Sequence, residues 1–126
     1  MRDFAWGKTW PPPPNVGNFA DTAYKLAPGA GRTGSIVGYN DGFPRTSPAG
    51  TFPANKLGIF DMTGNVWQWM ADSYNGGTQR KDWGVLRGGS WATSKQEELR
   101  LGYRDVVDRT ERDVIFGFRC VLVPER

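Results

Sequence analysis

Residues Asn55 to Trp69, NKLGIFDMTGNVWQW, constrain this chain more than any other stretch. Glycine-centred turns flank a short apolar run, Ile59–Phe60–Asp61–Met62, which reads as one strand, and Asn65–Trp69 reads as the next. Alternation along the second strand puts Val66 and Gln68 on one face and Asn65, Trp67 and Trp69 on the other. Two indoles on one face of a short strand hide about 150–250 Å² each, so they call for a core rather than a ligand-stacking platform. Asp61, Asn65 and Gln68 place side-chain oxygens beside those rings, and Gly64 lets backbone carbonyls turn inward.

The rest of the composition agrees with an irregular, aromatic-cored fold. Seventeen Gly and nine Pro interrupt the 126 residues so often that short strands and loops are expected, with six Trp supplying the core. A chain of this length holds one domain, residues 1–126. There is no His and a single Cys, Cys120. Zinc sites built from Cys and His, a two-His iron triad and a Ser-His or Cys-His nucleophile are therefore all excluded for the isolated chain. A lone Cys also forms no internal disulfide. The 16 basic and 13 acidic residues are interspersed, most densely between Glu97 and Arg119, with no one-sided basic stripe of the kind that binds nucleic acid. No apolar run approaches the ~18 residues of a membrane span. The opening MRDFAWGKTW has no apolar signal-peptide core, so a cytoplasmic location is the default expectation.

Along the chain, WGKTWPPPP is expected to fold its two indoles back onto the core, an SH3- or WW-type ligand being the competing reading. Asn40–Asp41–Gly42 signals a tight turn. Gly29–Gly34 lacks the ending of a phosphate-binding loop. Val85–Leu86 leads a strand into Gly88–Gly89, where paired glycines imply a bulge or a close backbone approach. Residues 92–104 are the best helix candidate, with Ser94 as cap and Glu97 or Glu98 in the first turn. Residues 114–123, VIFGFRCVLV, read as a final strand with Phe116, Phe118 and Cys120 on one face and Arg119, Val121 and Val123 on the other.

In order, LGIFDMTGNVWQW, VLRGGSW, LGYR and GFRC, with WGKTW and YNDGF–TFPANKLG upstream, resemble the formylglycine-generating enzyme family, the sulfatase-modifying-factor domain, over essentially the whole chain. The resemblance implies an α+β, irregular, loop-rich, C-type-lectin-like fold with short antiparallel strands. It extends only to the C-terminal half of that domain. A half-domain is expected to expose the face its other half covers, and so to form a homodimer or bind a partner protein there.

Catalytic members of that family oxidise a substrate cysteine with copper(I) held by two cysteines between the GGSW-like and YR-like motifs. Here that stretch is ATSKQEELRLG, residues 92–102, without a thiolate for a soft metal, so copper is not expected. The related sulfoxide synthases hold iron through His, which is absent as well. Cys120 matches the GFRC position and is expected to be a buried, inert thiol. Calcium is what the resemblance leaves as cofactor. One set comprises Asp21, the Thr22 carbonyl, Asp41 and the Phe43 carbonyl; the other comprises Asp61, the Gly64 and Val66 carbonyls, and Gln68 where the family often has Glu. Asx-type turn capping is the competing role for Asp21 and Asp41. Arg87, Arg104 and Arg119 are expected to pair internally with carboxylates such as Asp61 or Asp72. The functional expectation is a non-catalytic, calcium-stabilised binding or scaffold module using loops 75–83, 92–98 and 104–113. The alternative is a formylglycine-generating-type oxidase completed by a partner chain.

Overall fold

The structure is a computed structural model and describes residues 3–29, 34–74 and 83–124. One short helix, α1 (Thr22–Leu26), precedes strands β1 (Trp67–Ser73), β2 (Trp83–Arg87), β3 (Asp105–Asp108) and β4 (Phe116–Gly117), with a 3₁₀ turn at Gln96–Leu99. The sheet runs in the order β3-β2-β1-β4. β2 pairs antiparallel with both β1 and β3, while β4 lies parallel to β1, so the sheet is mixed. Register pairs Trp69 with Leu86 and Trp67 with Phe116.

Two apolar clusters hold this sparse secondary structure together. Near the N-terminus, Phe4, Phe19, Ile36, Tyr39 and Leu99 are buried, and Trp6, Trp10 and Val16 pack against them. Phe4 stacks on Trp6 with centroids 4.9 Å apart, and Trp6 leans on Phe19 at 5.5 Å. The WGKTW segment thus folds onto its own core, as its indoles imply. The second cluster is the sheet, where Trp67, Val85 and Leu86 are buried. Trp69 is only half-buried, its ring meeting Phe116 edge-on at 5.8 Å.

Four expectations need correction. Ile59–Met62 is not a strand: Ile59, Phe60 and Met62 are exposed, and Asp61 sits at φ 52°, where a pleated strand does not continue. The helix expected over 92–104 reduces to the Gln96–Leu99 turn, which has no side-chain cap, because Ser94 lies outside the Ncap position held by Lys95. The final strand shrinks from 114–123 to Phe116–Gly117, leaving Phe118, Val121, Leu122 and Val123 exposed. Cys120 is exposed rather than buried. The last two share a cause: the extended segment after Gly117 has no sheet neighbour on its outer side among the described residues. The Asn75–Gly77 loop lies outside the described residues.

The paired glycines do mark a close approach. A Cβ at Gly88 would lie 2.8 Å from the Met62 carbonyl oxygen, and one at Gly89 would lie 2.5 Å from the Leu99 side chain. β2 therefore ends where the Asn55–Trp69 segment crosses it.

Candidate functional site

Two members of the first predicted donor set, Asp21 and Asp41, meet where α1 begins. Asp21 is fully buried and is the N-cap: its Oδ1 accepts from the Tyr24 amide at 2.9 Å. Its Oδ2 accepts from the amide of Asp41, which joins the two residues across twenty positions of sequence. Asp41 in turn accepts from the Phe19 amide on Oδ2 and the Phe43 amide on Oδ1, each at 2.8 Å. Asx-type capping is therefore part of what both aspartates do. The adjacent Asn40 adds the tight turn, accepting from the Gly42 amide at 3.0 Å.

Two carboxylates pressed together this way are electrostatically unbalanced. Burial first, and then the neighbouring Asp21 charge, push the Asp41 carboxyl up to about 6, against the lowering effect of its amide bonds. Burial also raises the Tyr39 hydroxyl to about 12; it donates to the Gly17 carbonyl and accepts from the Gly17 amide. The one ion pair among the described residues is Lys95–Glu98, far from this cluster in sequence and not directed to either aspartate. Each carboxylate oxygen accepts one N–H and retains a lone pair. That set of hard oxygen donors suits a calcium-type ion, which takes carboxylates and carbonyls from loops. Among the described residues no three His, Cys, Asp or Glu side chains converge, so carbonyls such as those of Thr22 and Phe43 would have to complete the shell.

The second set is arranged differently. Asp61 accepts from the Gly50 amide at 2.8 Å. Gln68 donates Nε2–H to the Asp61 carbonyl at 2.8 Å, and its Oε1 accepts from Arg119 Nε at 2.6 Å. Arg119 Nη2 reaches the Phe60 and Asp61 carbonyls, both at 3.0 Å. Gly64 and Val66 flank Asn65 close by, the Gly64 amide donating to the Gly88 carbonyl at 2.8 Å. A guanidinium thus already serves the oxygens of Gln68 and Asp61. Gln suits that arrangement because it donates and accepts at once; Glu only accepts. The expected Arg–carboxylate pairs are replaced by Arg–carbonyl bonds: Arg87 Nη1 donates to the Leu101 and Tyr103 carbonyls, both at 3.3 Å. It is Arg109, not one of the three expected arginines, that reaches the Asp72 carbonyl and the Ser73 hydroxyl.

Sequence reasoning missed a polar staple beneath both sets. Asn65, at φ 65°, accepts from the Ser47 amide at 3.1 Å and donates to the Ser47 carbonyl at 3.2 Å. Its backbone bonds the Asn18 carbonyl and the Trp91 amide, both at 2.9 Å, and Asn18 donates to the Arg45 carbonyl at 2.7 Å. One asparagine so ties its own loop to those of Asn18, Ser47 and Trp91; the sequence offered only its side-chain oxygen and its place after Gly64.

The 92–102 stretch carries no thiolate or imidazole. Thr93 is buried, its hydroxyl accepting from the Ser90 amide at 3.0 Å and lying 3.2 Å from the Ser90 hydroxyl. Cys120 lies beyond β4, on the opposite edge of the sheet from β3.

Comparison with known proteins identifies the family. Over 85 residues the chain is 48% identical to the bovine (Bos taurus) "Inactive C-alpha-formylglycine-generating enzyme 2", a match that covers 64% of this chain and 28% of that protein. It is 37% identical over 94 residues to the mouse (Mus musculus) "Formylglycine-generating enzyme", covering 64% of this chain and 25% of the relative. The matches thus span about a quarter of the length of these relatives. Among solved structures, PvdO from Pseudomonas aeruginosa superposes with a TM-score of 0.58 at 27% identity, over 82% of this chain and 38% of that one. The family model described as "Sulfatase-modifying factor enzyme 1-like domain" matches residues 2–123, and the chain belongs to that family.

Proposed function

We propose that this chain is a non-catalytic sulfatase-modifying-factor domain, a C-type-lectin-like frame stabilised by calcium and used as a binding or scaffold module. The observation that carries the reading is the 92–102 stretch. A copper(I) oxidase needs soft thiolates there, and the chain offers Thr93, Ser94, Lys95, Gln96 and two glutamates, with Thr93 committed to the Ser90 loop. The 48% identity to a relative whose name marks it as inactive supports the same reading.

Calcium is assigned to Asp21, Thr22, Asp41 and Phe43 as the stronger site. The support is the paired, desolvated carboxylates with no cationic side chain directed at them among the described residues. Asp61, Gly64, Val66 and Gln68 form the weaker site, because Gln68 brings no charge and Arg119 competes for its oxygen. When bound, the ion neutralises the carboxylates; the protein's own residues hold the loops 18–24 and 39–43 together through the same oxygens.

The apolar edge after β4 supports a partner. Phe118, Val121, Leu122 and Val123 are all more than three-quarters exposed on an extended segment, and apolar patches of that kind mark interaction sites. A second copy, forming a homodimer, or a separate partner protein would cover it.

The test combines copper(I) titration, a cysteine-peptide oxidation assay and calcium-dependent melting. The reading expects no stoichiometric copper binding, no peptide oxidation, and a melting temperature that rises with calcium and falls with chelator. Tight copper binding with turnover would favour the oxidase reading, with a partner chain completing the site. An unchanged melting curve in excess calcium would remove both calcium assignments.

A further inference from the structure

A cavity of about 330 Å³ opens where the Asn55–Trp69 segment, β2 and the 99–103 loop meet. Met62, Met70, Leu99 and Leu101 line it together with Arg87 and Arg100. No carboxylate stands among the lining residues. That sets it apart from the cavity beside Trp69 and Phe116, where Glu111 and Asp113 accompany Arg109 and Arg112.

Arg87 is held in place rather than neutralised. Its Nη1 donates to the Leu101 and Tyr103 carbonyls, and Nε and Nη2 have no partner among the described residues. Arg100 is exposed, and its guanidinium likewise has no ion pair among the described residues. Met62 and Leu101, both about half exposed, leave apolar rim surface unsatisfied. Small-molecule sites combine these features: mostly apolar walls, a volume near the lower end of ~300–1,000 Å³, and a few fixed polar groups. Two guanidinium groups set among methionine and leucine side chains complement a ligand that joins an anionic group to an apolar body.

We propose that this cavity binds an apolar chain ending in a single carboxylate, with Arg87 and Arg100 taking the carboxylate and Met62, Met70 and Leu101 the chain. The inference rests on the reading of the domain as a binding module, and names the ligand class for it. Two sources share this chemistry: a free aliphatic carboxylic acid and the C-terminus of a peptide with a large apolar last residue.

Isothermal titration with octanoate, octanol and octylammonium tests the charge requirement on the full chain. Octanoate is expected to bind and the other two to bind at least tenfold more weakly. Arg100→Gln, on an exposed side chain, is expected to weaken octanoate by about tenfold, the scale of one partly solvated charge-assisted hydrogen bond. Short peptides ending in leucine, as free acid and as amide, separate the sources: acid-selective peptide binding stronger than that of octanoate assigns a peptide terminus, and the reverse a free acid. The proposal is overturned if neither octanoate nor the free-acid peptide binds, if octanol binds as well as octanoate, or if Arg100→Gln changes nothing. Calcium-dependent melting measured on the same samples keeps this separate from the module reading: a calcium shift without octanoate or acid-peptide binding overturns the cavity assignment alone.

Discussion

Asp41 joins structure and the proposed ion most directly, and replacing it separates the two contributions. Asp41→Ala removes acceptors from the Phe19 and Phe43 amides, both bonded at 2.8 Å. Orphaning a buried donor costs about 1–3 kcal/mol, and these sites are part-buried, so the pair is worth about 2–4 kcal/mol. With about 3–5 °C of melting temperature per kcal/mol for a domain of this size, Asp41→Ala is expected to melt roughly 10 °C lower in chelator near pH 4, where Asp41 is neutral in the fold and no buried charge is relieved by its removal. Asp41→Asn keeps one acceptor and turns an amide –NH₂ toward the other N–H, so it should lose about half as much. The two variants share a second effect: calcium at a hundredfold over its dissociation constant stabilises a protein by about 2.7 kcal/mol, and neither variant should retain most of that gain. Differential scanning calorimetry, with chelator and with a calcium series, measures both. A calcium-induced shift in Asp41→Ala as large as in the parent would refute the assignment of Asp41 as a ligand. A drop below 2 °C in chelator would refute the capping argument.

Three further outcomes follow from single observations. Gly64 sits at φ 85°, and a Cβ there would lie 2.5 Å from the Asn18 carbonyl oxygen and 2.8 Å from the Phe19 ring. Gly64→Ala adds a backbone penalty of about 1–2 kcal/mol to that clash, so expression should yield mostly insoluble protein, and a soluble variant with parental melting would refute the packing. Asp41 titrates near 6 when folded and at an ordinary 3.8 when unfolded, so folding favours its neutral form; that stabilisation is complete below 3.8 and disappears as pH rises through about 6. In chelator its contribution should therefore lower the melting temperature between these pH values, and the difference between parent and Asp41→Asn should expose the trend; saturating calcium should flatten or reverse it. Exposed Cys120 should react with a thiol reagent in the monomeric protein as completely as in denaturant and be protected once a second copy or partner covers the 118–123 edge; equal reactivity in monomer and assembly would refute that edge as the interface.

Some elements were legible because local chemistry leaves little choice. Trp67 reads as core from its strand alternation and is buried, whereas Trp69 on the same face is only half-buried; Val85–Leu86 reads as a strand and is one. Asn40–Asp41–Gly42 had to turn, and of the bulge or close approach that Gly88–Gly89 implied, the structure shows a close approach, to backbone at Gly88 and to the Leu99 side chain at Gly89. The pairing of Asp21 with Asp41 was legible only through the family resemblance, because nothing local announces a contact across twenty residues. The errors fall where local pattern and tertiary context disagree. Residues 92–104 have helix-forming glutamates and leucines but lie across the end of β2, and only one 3₁₀ turn fits. Residues 118–123 alternate like a strand, yet a strand needs a neighbour, and none lies beside it among the described residues.

By itself, then, the sequence determined the kind of chemistry open to this protein. Without histidine and with one cysteine outside the 92–102 stretch, no folding of this chain alone assembles a thiolate or imidazole metal centre there. Only the tertiary structure decided which charges meet. It set Arg119 among the oxygens of Gln68 and Asp61, brought Asp21 and Asp41 together with no cationic side chain on them among the described residues, and placed Arg87 and Arg100 in the lining of a largely apolar cavity. Side-chain charge is written into the chain residue by residue, but electrostatic energy depends on distance and burial, which exist only once the loops have closed.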